Sequence, residues 1–178
     1  MPYSEDFVRV FNDVYIREIS IPAGRLVYRG ESRGSIVEER IERQYIWTSN
    51  HIDYASDYCY FDGITPQPIK TIFQIKLTKT VVLSQVRTML PFYSLYLNLP
   101  DEVRQEMSFQ SWQRDNMIPL RDQVLGLPND GVYLGTEGEN SDELLLNRDR
   151  GLIEIVDSET TTVGKEDFRI LCKRKWNI

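Results

Sequence analysis

Apolar residues along this chain recur with two different periods, and the switches between them set out the elements. Phe7, Val8, Val10, Phe11 and Val14 fall at helical spacing. They predict a helix over Asp6–Val14, within an N-terminal helical segment of residues 1–20 that Ser4 is placed to cap. Ile21-Pro22-Ala23-Gly24 is turn chemistry, and Arg25-Leu26-Val27-Tyr28-Arg29-Gly30 reads as a strand ending at a glycine. Glu31–Arg43 is dense in charge and is expected as a loop or short surface helix. Tyr45-Ile46-Trp47-Thr48 is aromatic and branched, hence a second strand, and Ser49-Asn50 can cap a helix over His51–Tyr60. Asp62-Gly63 and Pro66/Pro68 close that segment.

Thr71–Leu77 alternates apolar and polar residues from Phe73 and predicts a strand, with a further strand piece at Val81-Val82-Leu83. Met89–Trp112 reads as helix in two parts, broken near Leu99-Pro100-Asp101, and Leu125–Asn129 reads as loop. Strands are then expected at Gly131–Leu134, from Glu143 through Leu146, at Leu152–Val156 and at Phe168–Cys172. Helices fall mainly in the first two thirds and strands in both halves, with no dominant βαβ repeat. The pattern is that of a single α+β domain spanning residues 1–178.

Composition narrows the chemistry. With 41% apolar and 27% charged residues, the 178-residue chain is an ordinary globular sequence, long enough to bury a core without disulfides or metals. A net charge of −6 argues against a general grip on nucleic-acid phosphates. The two cysteines, Cys59 and Cys172, make no zinc framework, and a single histidine, His51, excludes a His-rich metal site. The sequence holds no G-x-G-x-x-G, no P-loop and no G-x-S-x-G elbow, so a nucleotide site here is not of the Rossmann or Walker kind. No apolar run approaches the ~20 residues of a membrane span, and the N-terminus carries no signal-peptide core. A soluble, cytoplasmic protein is expected.

Three segments stand out: Tyr28-Arg29-Gly30 at a strand end; Trp47-Thr48-Ser49-Asn50 at a strand-to-helix junction, followed by Tyr54-Ala55 and Tyr58; and Asp130-Gly131 followed by Asp142-Glu143-Leu144-Leu145-Leu146-Asn147-Arg148. Taken singly, each has a commoner reading: a solvated arginine, a plain cap, an edge glutamate. In this order, with Lys79-Thr80 as a turn between strands, they resemble the arginine–serine–glutamate, cholera-toxin-like class of mono-ADP-ribosyltransferases. The resemblance runs from about Leu26 to Val156. It departs from the family where the usual S-T-S reads Trp47-Thr48-Ser49. It departs again two positions before Glu143, where Ser141 replaces the Glu or Gln of arginine-modifying members.

The resemblance implies two packed, mainly antiparallel sheets around an NAD cleft, with flanking helices. It also implies cleavage of the nicotinamide–ribose bond and transfer of ADP-ribose to a macromolecule, with NAD as substrate and protein as acceptor. Glu143 would stabilise the positive charge developing on the ribose. Arg29 would offer a planar fork to the pyrophosphate. Gly30 would let the backbone approach the ligand, and Thr48 or Ser49 would orient Glu143. Tyr28 and Trp47 flank this cofactor site, and Tyr54 or Tyr58 would stack on the nicotinamide. The acidic loop with Glu137, Glu139 and Ser141 would meet the acceptor. Small members of this fold are often toxins or effectors acting inside a host cell. Within the same fold, water as acceptor would make an NAD glycohydrolase. Loss of catalysis would leave a binding module, and a nucleic-acid acceptor fits the acidic composition poorly.

Overall fold

The computed structural model describes residues 5–31, 45–60, 69–88, 90–106, 130–135 and 142–178. Helix α1 (Glu5–Val14) leads directly into β1 (Tyr15–Ile21), followed by β2 (Leu26–Glu31) and β3 (Tyr45–Thr48). Next come α2 (Ile52–Tyr60), β4 (Lys70–Leu77), β5 (Val81–Val86), α3 (Leu90–Leu97) and α4 (Asp101–Glu106). The described chain ends with β6 (Gly131–Leu134), β7 (Glu143–Asn147), a 3-10 turn at Arg148–Arg150, β8 (Ile153–Thr161) and α5 (Lys165–Trp176).

The strands form two sheets. One has five strands in the order β1-β5-β6-β7-β3, with only β5 and β6 parallel; the other is antiparallel, in the order β2-β4-β8. This is the α+β, mainly antiparallel, two-sheet arrangement expected from the sequence. The period of two in each strand sorts its residues to opposite faces. Leu144 and Leu146 of β7 meet Val27 and Ile75 between the sheets. Leu145, between them in sequence, faces the other way and packs with Phe11 of α1 and Phe92 of α3. On the far side of the small sheet, Tyr28 and Ile72 pack against Ala55 and Cys59 of α2 and Phe168 and Cys172 of α5. The molecule is thus layered helix, sheet, sheet, helix.

Four expectations are corrected. Residues 1–20 are not one helical segment: α1 stops at Val14, and residues 15–21 pair with β5 as an edge strand. Glu31 is not in a surface loop but ends β2, 3% exposed. Phe168–Cys172 is not a strand. It lies inside α5, where Phe168 and Cys172 are one turn apart and buried while Ile170 and Leu171 are exposed. Acids in the first turn and Lys173, Arg174 and Lys175 in the last suit the helix dipole, and Asn177 closes the helix in the left-handed conformation. Finally, the strands expected at Val81–Leu83 and Leu152–Val156 extend to Val86 and Thr161.

The break expected near Pro100 separates α3 from α4, while residues 107–112, Ser4, residues 62–68 and the 125–129 loop lie outside the described residues. Among the described residues no helix is long and apolar enough to cross a membrane.

Cys59 and Cys172 are free and buried. Burial is the largest cause pushing each thiol up to about 12. Both therefore stay protonated at pH 8, where the thiolate is the reactive form. Folded protein is expected to leave both thiols unmodified by a colorimetric thiol reagent, and protein unfolded in denaturant to react at two sites. Rapid modification of either thiol in the folded state would contradict this.

Candidate active site

β2 places Val27, Arg29 and Glu31 on one face and Leu26, Tyr28 and Gly30 on the other. Val27 is in the core between the sheets, so Arg29 and Glu31 lie on the face directed at the large sheet. The Arg29 Nη1 donates to the Trp47 carbonyl at 2.7 Å, and its Nη2 donates to the carboxylate of Glu31. The guanidinium is mostly buried, 16% exposed. Its Nε and the indole Nε1 of Trp47 are both buried without a partner among the described residues. Buried donors without acceptors are costly. The two do not share a space: Arg29 faces the gap between the sheets, whereas the Trp47 side chain shares the face of Leu145 and packs toward α1 and α3, so only its carbonyl meets Arg29.

The two sheets are joined by backbone at one point. Tyr28 N–H donates to Ser49 O and Ser49 N–H to Tyr28 O, each at 2.8 Å. Beyond this bridge β2 and β3 are no longer paired with each other. The Ser49 side chain extends the junction to a third element. Its hydroxyl donates to Asp142 Oδ1 at 2.8 Å and accepts His51 N–H at 3.0 Å, capping the start of α2. Asp142, 2% exposed, also accepts Asn50 N–H at 3.0 Å and the Asn50 side-chain amide. One serine therefore fastens β2, the head of α2 and the start of β7.

Glu143 opens β7 and is half-buried, paired in register with Leu134 of β6. Its Oε1 accepts the Tyr54 hydroxyl at 2.9 Å. Asn50, two residues before α2, reaches Asp142, and Tyr54 in the first turn of α2 reaches Glu143. No protein-family model and no curated protein matches this chain. What the site does has to be read from these side chains.

The residues expected from the sequence are brought together in part. Arg29, Trp47, Ser49, Tyr54 and Glu143 belong to one connected set of contacts. The hydroxyl contacts of Thr48 and Ser49 run to Leu144 O at 3.2 Å and to Asp142, respectively, rather than to Glu143. Tyr54 is bonded to Glu143 through its hydroxyl. The Tyr58 side chain and Glu137, Glu139 and Ser141 lie outside the described residues. Gly30 has a reason of its own. A Cβ there would lie 1.9 Å from the Ala55 carbonyl oxygen, so its missing side chain admits α2 on the face away from Arg29. Tyr28 turns to that same helix face, stacking at a tilt on Trp176.

From the sequence alone Glu31 is not singled out, Asn50 reads only as a cap and Asp142 has no role. Glu31 continues the alternation Val27, Arg29, Glu31, and that period of two was the available signal. Asn50 and Asp142 meet across 92 residues and leave no periodic trace. An open hollow of about 500 Å³ lies beside the site, lined by Arg25, Tyr28, Asn50, His51 and Asp53 among others. It opens on the α2 side of β2, whereas Arg29 faces the large sheet, so it is not the space that Arg29 borders.

Proposed function

We propose that this protein binds NAD⁺, cleaves its nicotinamide–ribose bond and transfers the ADP-ribose to a protein acceptor. The observation that carries the reading is the connected junction just described. Arg29 on one sheet and Glu143 on the other are linked through the Tyr28–Ser49 backbone bridge and the Ser49–Asp142 hydrogen bond. These are the residue types the reaction calls for, and they come from distant parts of the chain.

In this reading the glycosidic bond breaks with its electron pair going to nicotinamide, which leaves neutral while positive charge grows on the ribose. The Glu143 carboxylate accepts a hydrogen bond from the ribose 2′-hydroxyl and stabilises that charge. Arg29, held in one plane by Trp47 O and Glu31, keeps further N–H groups for phosphate oxygens, because a guanidinium carries five donors. The acceptor nucleophile then forms its bond to the ribose C1′ and gives up its proton to solvent.

Incubation with NAD⁺ labelled in the adenosine part, with a cell extract present, tests this. Nicotinamide release together with label fixed on protein is expected. Release of free ADP-ribose with no labelled protein would sink the transferase reading and leave a glycohydrolase. No nicotinamide release at all would sink the NAD⁺ chemistry.

A further inference from the structure

Glu143 begins β7 directly after Asp142, which Ser49 and Asn50 hold, and its backbone pairs in register with Leu134 of β6. A glutamate has three side-chain torsions, and a carboxylate that must meet one ribose hydroxyl needs its tip fixed as well. The family resemblance assigns that task to a strand hydroxyl at Thr48 or Ser49. Both hydroxyls are turned to other work, Thr48 on Leu144 O and Ser49 on Asp142 and the α2 cap. At the position where the family carries its first serine, this chain has Trp47.

We infer that Tyr54 is the positioning residue for Glu143, its phenol hydroxyl holding Oε1 in place from α2. This rests on the reading of Glu143 as the charge-stabilising carboxylate. The bond is 2.9 Å long, with an ionisable carboxylate as acceptor; such charge-assisted bonds are roughly twice as strong as neutral ones. Tyrosine is suited to the task because its ring is rigid and only two torsions place the hydroxyl.

The ring in turn is anchored by its helix. On one side, α2 is seated by Ile52, Ala55 and Cys59 against β2. At its head it is pinned to Asp142 through Asn50. Arg169 of α5 adds bonds to the α2 backbone at Asp53 and to the Asp57 carboxylate. The hydroxyl that orients the carboxylate has therefore moved from the strand to the following helix, one turn past the cap.

Because the bond tunes a group that acts as charge develops, its loss should appear in turnover rather than in NAD⁺ binding. The test uses the full chain and nicotinamide release. Tyr54→Phe is expected to lower kcat by about 10- to 100-fold. The KM, the NAD⁺ dissociation constant from fluorescence titration and the melting temperature should stay near wild type. The Tyr54→Phe/Glu143→Gln double variant is expected to retain the same residual rate as Glu143→Gln alone, because the hydroxyl has then lost the charge it orients.

An unchanged kcat in Tyr54→Phe would overturn the inference, as would a loss confined to KM or additive losses in the double variant. These results, in a wild type that cleaves NAD⁺, would remove the role of Tyr54 while leaving the proposed function intact. A wild type without NAD⁺ cleavage would remove both.

Discussion

Replacing Glu143 with glutamine is expected to reduce nicotinamide release by about 10²- to 10³-fold, with little change in KM. Glutamine keeps the length of the side chain and a carbonyl oxygen for the Tyr54 hydroxyl, so the packing around the head of β7 is retained. What disappears is the negative charge facing the ribose as the bond to nicotinamide breaks. A charge that acts only on the transition state lowers kcat and kcat/KM together and leaves ground-state binding alone. The measurement is steady-state nicotinamide release beside a thermal melt, with labelled NAD⁺ and extract as a second readout. Equal labelling by wild type and variant would overturn the assignment of Glu143, whatever other residues do.

The second large effect is on stability. Gly30→Ala is expected to destabilise the fold by about 3 kcal/mol or more. The added Cβ would stand 1.9 Å from the Ala55 carbonyl oxygen and 2.9 Å from Cys59 Sγ, and the nearer of these is backbone that no rotamer change can move. Either β2 leaves its register with β4 or α2 retreats. A retreat of α2 withdraws Tyr54 from Glu143 and strains the bonds of Asn50 to Asp142, so activity should fall along with stability. Urea unfolding followed by circular dichroism gives the number. A variant within about 0.5 kcal/mol of wild type would show that α2 does not sit on β2 as closely as described.

Much of the fold could be read from apolar runs and periodicity. α2 buries one face at helical spacing, whereas β4, β6 and β7 read as strands because they are short, largely apolar runs buried on both faces. Two elements misled for identifiable reasons. In α5 the run Phe168-Arg169-Ile170-Leu171-Cys172 is dense in apolar residues, which suggests a strand. The deciding features are the spacing of Phe168, Cys172 and Trp176 and the charges at either end. β1 puts Arg17 and Glu18 at its centre, and as an edge strand it can leave both exposed.

For the site, Arg29, Ser49 and Glu143 could be picked out because a known order of motifs resembles theirs. Their pairings could not: Tyr54 reads as a ring for the nicotinamide rather than as a partner of Glu143. Glu31 looked like the start of a charged loop, and only the register of β2 turns it toward Arg29. The Tyr54–Glu143 and Ser49–Asp142 bonds join residues 89 and 93 positions apart, a distance at which no local pattern carries information.

Those separations also govern when the site comes into being. β3 finds its partner in β7, and β4 in β8, so both sheets close on the last third of the chain. Pairings between distant segments make folding slow, on the scale of milliseconds to seconds rather than microseconds. A chain emerging from the ribosome, or one cut short before Asp142, can form α2 and pair β2 with β4, yet it lacks the carboxylates that pin the head of α2 and receive the Tyr54 hydroxyl. The arginine half of the site waits for its acid half, and the junction between them is complete only when synthesis is nearly done.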